Sequence, residues 1–584
     1  MEKQREGAYG FAVSGGHSLK ADEPLIDEVA GRFNGMKLYL PVFLAGFVLF
    51  ACGFLCAQPL SESEVQAAAA RVDLALLNAR KQEGGAITEQ PAPDRLRQAD
   101  DAVFLRRACI DLAGRLPKAA EVRQFLEDPA PAKRGALVDR LLEEPGAAEV
   151  RFQLLAESLR VKDTLGNQSQ APFIAWLHKA MADDMPYDKL MATLLRSPNE
   201  DMEAHPASGF YTRDGGDLLH TSTETAEAFL GARLYCAQCH DHPYAEFTQR
   251  QTFEFAGCFA DSFKNGPRLP SRYAYRDGKP GDWIAPRYLP LSADPGDEAS
   301  VALAALPTPG KVPREELALW FTGPTNNRFA EVGALRLWHR LFGRINRSGQ
   351  YWEGAVQAMP YHTAFTENNC EMPPAWKGAW PEDLLDPDND SAGPVRSLGE
   401  EFMRCGYRQK EFMRILARTM AYQSEAVRRV QPGQPSLTDG PFLKRLPPEV
   451  TWTAWSVEAG SEGAASSTGA DIGQVPPEGH PLRLLGRGTR EWSDESAPVI
   501  SHALTRFIIT SSLVEQAAKV KARSVSKHES PTSKVEHLFL STLGRFPEGR
   551  EESAALRHLA EHPESAPQDI AWALLNTSEF LFQP

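Results

Sequence analysis

The residues best suited to chemistry are two cysteines and a histidine, Cys236-Ala-Gln-Cys239-His240. A spacing of three brings both thiols to one edge of a bound group, and the adjacent imidazole offers a metal ligand. In c-type haem attachment each thiol adds across one haem vinyl to give a thioether, and the following histidine ligates the iron. With 8 Cys and 14 His in 584 residues, chance placement gives such a motif only about 0.003 times per chain. The leading reading is therefore a covalent haem c on Cys236 and Cys239, with His240 on the iron. Other readings of the same residues stay open. The thiols would be half of a zinc site, with His240, His242 or the upstream His220 adding ligands. Alternatively, they form a short-range redox disulfide, or they are plain buried thiols.

A second axial ligand is not evident. The next methionine after the motif is Met359, and His242 lies too close in the chain to reach the far side of a ring held by His240. His220, His205 and Met202 are the upstream candidates. An open sixth position would point to small-ligand binding or catalysis rather than electron transfer alone. His242 is expected to play a local structural part. Phe247, Phe253, Phe255 and Phe259 either wall a haem pocket or belong to ordinary core. The sequence holds no GxSxG, P-loop, HExxH or Rossmann fingerprint.

The elements that must position these residues are helical. Val65, Ala69, Val72 and Leu76 recur at helical spacing, as do Phe104, Leu105, Cys109 and Leu112, and Val138, Leu141 and Leu142. Thr221 with Glu224 has the form of a capping box. It predicts a helix through Ala226, Phe229, Leu230 and Leu234 that runs straight into Cys236. Prolines from Pro267 to Pro313 argue against a long helix there. Helical spacing returns over 315–342, 397–430 and 497–582, with loops at 366–396 and 459–475. The expected fold is mostly α: two large helical domains, 61–262 with the CxxCH and 314–584, joined by a Pro-rich irregular connector over 263–313 with at most a few short strands.

The first 35 residues lack apolar periodicity and are expected to be a non-native or disordered extension. Met36-Lys37 and the apolar run to Ala57 resemble a signal peptide over 36–57, so the protein is expected to be exported, to the periplasm or cell surface. The run is long enough to anchor the chain if it is not cleaved, and that is the only membrane contact expected. A net charge of −14 argues against a nucleic-acid partner. The expected partner is a redox partner or another exported protein, of unknown identity. Pairing among Cys109, Cys258, Cys370 and Cys405 stays open.

Several segments carry a resemblance. Phe229-Leu230-Gly231-Ala-Arg233-Leu-Tyr-Cys236-Ala-Gln-Cys239-His240-Asp241-His242-Pro243-Tyr244 is similar to the signature of the cytochrome-like domain of unknown function 1549. Asn327-Arg328-Phe329-Ala330 and Arg336-Leu-Trp338-His-Arg-Leu341-Phe342-Gly343 resemble its usual companion, domain of unknown function 1553. So do Tyr422-Gln423-Ser424, Arg445-Leu446-Pro447-Pro448-Glu449 and Trp572 to Leu581. Proteins of this kind are abundant in Planctomycetes and Verrucomicrobia. The resemblance spans about residues 62–580 and implies an exported, haem-associated protein with no assigned reaction. Leu335 stands where that companion usually has Asn, and 490–495 lacks the cysteines often found there.

Overall fold

Proline, glycine and short polar side chains set several helix boundaries among the described residues. The structure, a computed structural model, describes residues 59–83, 96–197, 201–232, 234–242, 247–261, 284–290, 312–323, 326–343, 392–426, 440–456, 475–490, 502–525 and 530–583. Among these the chain is mostly α, as its periodicity predicts. In order, the helices are α1 Glu62–Glu83, α2 Asp101–Ala113, α3 Ala119–Glu127, α4 Lys133–Leu142 and α5 Pro145–Ser158. There follow α6 Ala171–Ala182, α7 Tyr187–Arg196, α8 Leu218–Leu230, α9 Gln249–Gly257, α10 Pro313–Phe321 and α11 Asn327–Phe342. The remainder are α12 Ala392–Arg404, α13 Gln409–Arg418, α14 Pro448–Ser456, α15 His502–Thr510, α16 Ser512–Ser524, α17 Pro531–Thr542, α18 Gly549–Glu561 and α19 Ala566–Leu575. Short helices at Gly209–Thr212, Pro481–Leu484 and Ser578–Leu581 and 3-10 turns at Pro206–Ser208 and Cys236–Gln238 are accompanied by two antiparallel pairs: β1 Thr164–Leu165 with β2 Gln168–Ser169, and β3 Lys444–Arg445 with β4 Phe582–Gln583.

Local chemistry explains the boundaries. Pro145 reads from sequence as a break, and it opens α5 from the first-turn position, where a missing N–H costs nothing. The helical spacing over 315–342 divides at Gly323, and Asn326 starts α11 by accepting from the Phe329 N–H at 3.3 Å. The capping prediction at Thr221 is corrected. Helix α8 starts three residues earlier, and the Asp217 carboxylate accepts from the Leu219 and His220 N–H groups. Thr221 is thus an interior helical residue, fully buried. Nor does α8 run into Cys236: Gly231, at φ 62°, ends it in a left-handed cap.

The main core gathers residues of α1 to α9 with α10 to α13. Residues from both sides of 263–313 therefore meet in one core. A second core lies among residues 455–580, and the whole from Leu60 onward forms one unit. Most of 263–313, with Cys370 and the loops at 366–391 and 459–474, falls outside the described residues, as does the 36–57 leader. The described part, 284–290, is irregular and buries Ile284, Tyr288 and Leu289. Among the described residues no helix is long and apolar enough to cross a membrane.

Buried and half-buried arginines tie the layers together through backbone carbonyls, several of them in the last turn of a helix, where partial negative charge accumulates. Arg107 donates to the Tyr422 and Ser424 carbonyls, Arg340 to Ile110 O at 2.9 Å, and Arg106 to Thr542 O and Phe580 O at 3.0 and 2.9 Å. Cys109, Cys258 and Cys405 are buried free thiols, and burial pushes each up, Cys405 to about 12.

Candidate functional site

The Cys236–His240 segment is a surface turn held from below by two helices. After Gly231 caps α8, the chain buries Ala232, Leu234 and Ala237. A short 3-10 turn over Cys236–Gln238 follows. The Cys239 N–H donates to Cys236 O at 3.2 Å, and the His240 N–H to the same oxygen at 3.4 Å. Buried Ala237 pegs the turn down, while Cys236 is half-buried and Cys239 and His240 are exposed.

Side chains from both helices fix its height. Gln238 Nε2 donates to Thr223 Oγ1 of α8 at 2.9 Å. From α9, Gln249 Nε2 donates to Gln238 O at 3.2 Å, and the Gln249 N–H donates to Asp241 Oδ1 at 2.9 Å. The start of α9 is itself a capping box between Thr248 and Gln251. The His242 N–H donates to Phe247 O at 2.8 Å, consistent with the local structural part expected of that segment.

His240 has a defined tautomer. Its Nδ1 lies 2.7 Å from the Asp241 carbonyl oxygen, which can only accept, so Nδ1 carries the proton. The lone pair then sits on Nε2, the state a ligating imidazole needs, with its other nitrogen bonded to a carbonyl in the manner common at metal sites. One exposed and one half-buried thiol with a prepared imidazole can take a group that docks from outside. The residues present fit thioether formation and axial ligation; His240 would hold the metal and the thiols the macrocycle edge.

The other sequence-predicted residues fall elsewhere. His220 Nε2 lies 3.4 Å from Arg160 Nη1 and 3.5 Å from Asp214 Oδ1. Met202 is buried in the main core, and exposed His205 precedes the turn at Pro206–Ser208. Among the described residues no three His, Cys, Asp or Glu side chains gather in a metal-binding group. Phe255 and Phe259 stack edge-on to each other at 5.3 Å, with Phe255 also against Trp320 and Phe321. Phe253 packs with Ile284. These three are core.

Sequence reading missed a buried charge cluster under the turn. Asp214, with no exposed side-chain surface, pairs with Arg160 and with Arg213 at 2.6 Å. Arg160 Nε also lies 2.8 Å from Glu224 Oε2 of α8. Arg160 occupies φ 52° just past the end of α5, a place where glycine is usual. The left-handed backbone costs about 1–2 kcal/mol and swings the guanidinium into the cluster. Burial alone would raise Asp214, but Arg213 and Arg160 outweigh it and hold the carboxyl at about 2. Burial pushes Glu224 the other way, up to about 7, with Arg160 only partly opposing it. The Arg160–Glu224 approach is close yet lacks a hydrogen-bonding angle, so Glu224 Oε2 accepts no hydrogen bond, and the charged form gains little. One signal for this cluster was visible: His220 and Glu224 sit at i, i+4 within the polar run Thr221–Thr225, where an ordinary core helix would be apolar.

The far end of α8 is clamped from the second half of the chain. Arg336 Nε donates to Ala228 O at 2.9 Å and Arg336 Nη1 to Ser158 Oγ at 2.9 Å, while Arg328 Nε donates to Leu230 O at 3.0 Å. Two guanidinium groups thus meet the negative end of the helix dipole, five or so residues before Cys236.

No curated protein and no solved structure matches the chain. Residues 87–264, which take in Arg160, the whole of α8, the CxxCH turn and α9, match the model of the PSCyt2 family, a protein of unknown function (DUF1549).

Proposed function

We propose that the protein is an exported haem c protein that transfers electrons, with Cys236 and Cys239 as the attachment thiols and His240 as an axial ligand. The observation that carries this reading is the state of His240: Nδ1–H is committed to Asp241 O, which leaves Nε2 as the donor atom on an exposed turn beside two accessible thiols. When bound, the haem would supply one-electron chemistry. The chain's part is to hold it, through Ala237 and Gln238 below and Gln249 beside. The apolar run over 36–57 supports export, since c-type haem is attached outside the cytoplasm. The motifs at 327–343, 422–424 and 445–449 support assignment of the second half to domain of unknown function 1553. Its arginines Arg328 and Arg336 act on the haem turn through α8.

The test is expression with export and haem-maturation machinery, followed by a denaturing gel stained for haem peroxidase activity and by metal analysis. Haem that survives denaturation, and disappears in the Cys236→Ala/Cys239→Ala double variant, is the expected result. Stoichiometric zinc without covalent haem would replace this reading with the structural-metal one.

A further inference from the structure

The Arg160–Asp214–Glu224–His220 cluster is more than a structural ion-pair network. In a purely structural network each carboxylate is satisfied by its cations, as Asp214 is by Arg160 and Arg213. Glu224 is not satisfied: it is 3% exposed, yet its Oε2 accepts no hydrogen bond, and the neighbouring Thr221 Oγ1 is buried without a hydrogen-bond partner as well. One member of the cluster reaches solvent. The His220 side chain is 34% exposed, while those of Arg160, Asp214 and Glu224 are 7%, 0% and 4% exposed. A half-exposed imidazole leading to an under-satisfied buried carboxyl is the arrangement of a proton route.

The cluster is linked to the turn through α8. Thr223, next to Glu224 in α8, accepts the hydrogen bond from Gln238. Tyr235 is pushed up by burial and, in turn, by Cys239, Glu224 and Cys236, so the two thiols and Glu224 act electrostatically on one hydroxyl. The charged groups acting on Glu224 are Arg160 and Arg213 from the preceding elements and Glu227 and His220 from α8 itself. Of the helices packed on α8, α11 presents Arg328 and Arg336 to its far end, and on α9 the carboxylate Glu254 pairs with Arg250 and Arg287.

We propose that Glu224 is the proton-binding group of the CxxCH site: it takes up one proton when the group held there gains one electron, and releases it on oxidation, with His220 as the route to solvent. The electron comes from an external one-electron donor and the proton from water; the carboxylate becomes a carboxylic acid, and both electron and proton leave on reoxidation. Added negative charge at the turn favours the neutral acid, and the position of Glu224 near 7 puts the exchange where both forms are accessible.

This rests on the haem reading above. The experiment is the midpoint potential of the haem-loaded protein against pH, over about two units centred on neutrality. The expected result is a fall of up to tenfold in the reduction equilibrium per pH unit, about 59 mV for one electron, and a flat profile in Glu224→Gln. His220→Gln should keep the slope and slow the proton transfer. A variant-free readout is the reduction-induced infrared difference spectrum, in which a carboxylic-acid carbonyl band should grow. A haem-bearing wild type with a flat profile, or an unchanged slope in Glu224→Gln, overturns the proton coupling and leaves the haem reading intact. A chain without covalent haem overturns both.

Discussion

At the scale of single residues, burial pushes two neighbouring carboxyls the same way, up, and the number of well-aimed cations decides where each ends. Asp214 has two and stays charged; Glu224 has a close but poorly angled one and is drawn toward neutrality. Asp214→Asn would leave Arg213 buried without its paired carboxylate and Arg160 with Glu224 alone, and should cost about 3–5 kcal/mol in urea unfolding. Glu224→Gln should behave differently. The native state holds the Glu224 proton up to about pH 7, whereas an unfolded glutamate loses it near 4.3. Native protein therefore binds more protons across that window, and the Glu224 contribution to stability is full below it and lost as pH rises through it. The gain in melting temperature of Glu224→Gln over wild type should grow from acid to mildly alkaline pH; a difference constant with pH would contradict this account. The candidate site, Cys236 and Cys239 with His240, is proposed from spacing, because thioether chemistry requires those types at those intervals, and the structure places the three on one short turn. The charge cluster was not legible in the sequence, because Arg160, Asp214 and Glu224 are 54 and 10 residues apart in the chain, and only the tertiary fold sets Arg160 beside both carboxylates.

At the scale of elements, the turn is as precise as the two helices beneath it. Helix α9 begins with a Thr248–Gln251 capping box, so Thr248→Ala should cost about 1 kcal/mol and loosen Gln249, which a hydrogen-exchange measurement would register as faster exchange over 238–250. Helix α8 is held at its other end by Arg336, whose guanidinium serves three oxygens, Ala228 O, Glu227 O and Ser158 Oγ. Arg336→Ala should cost about 1.5–3 kcal/mol by thermal or urea melting, the range for hydrogen bonds to a charged donor. Lysine should recover little of it, because an ammonium cannot reproduce the planar fork. Helix existence was readable from apolar spacing nearly throughout. Boundaries were less so, for a physical reason. The Thr221–Glu224 pair has the right residues for a capping box, but Leu218 to His220 are already helical and Asp217 caps them, accepting from the Leu219 and His220 N–H groups. The buried Thr221 and Thr225 hydroxyls then lie inside the helix, and Thr225 returns its hydrogen to Thr221 O at 2.6 Å.

At the scale of the whole molecule, the prolines of 263–313 suggested two halves, yet α10 to α13 pack into the same core as α1 to α8. Local patterning cannot reveal such sharing, since an apolar helical face reads identically whichever helix covers it. The companion motifs gain a role from this arrangement. Arg328 and Arg336 brace the end of α8 that leads to the CxxCH turn, and Tyr422 donates to Asp111 at 3.0 Å, which also receives Lys444 at 2.8 Å. The most direct measurement of the account is mass spectrometry of the tryptic peptide spanning residues 234–250 from protein exported in the presence of haem-maturation machinery. The account predicts that this peptide carries one haem, joined through thioethers at both Cys236 and Cys239. An unmodified peptide, from a chain shown to have been exported, would contradict it.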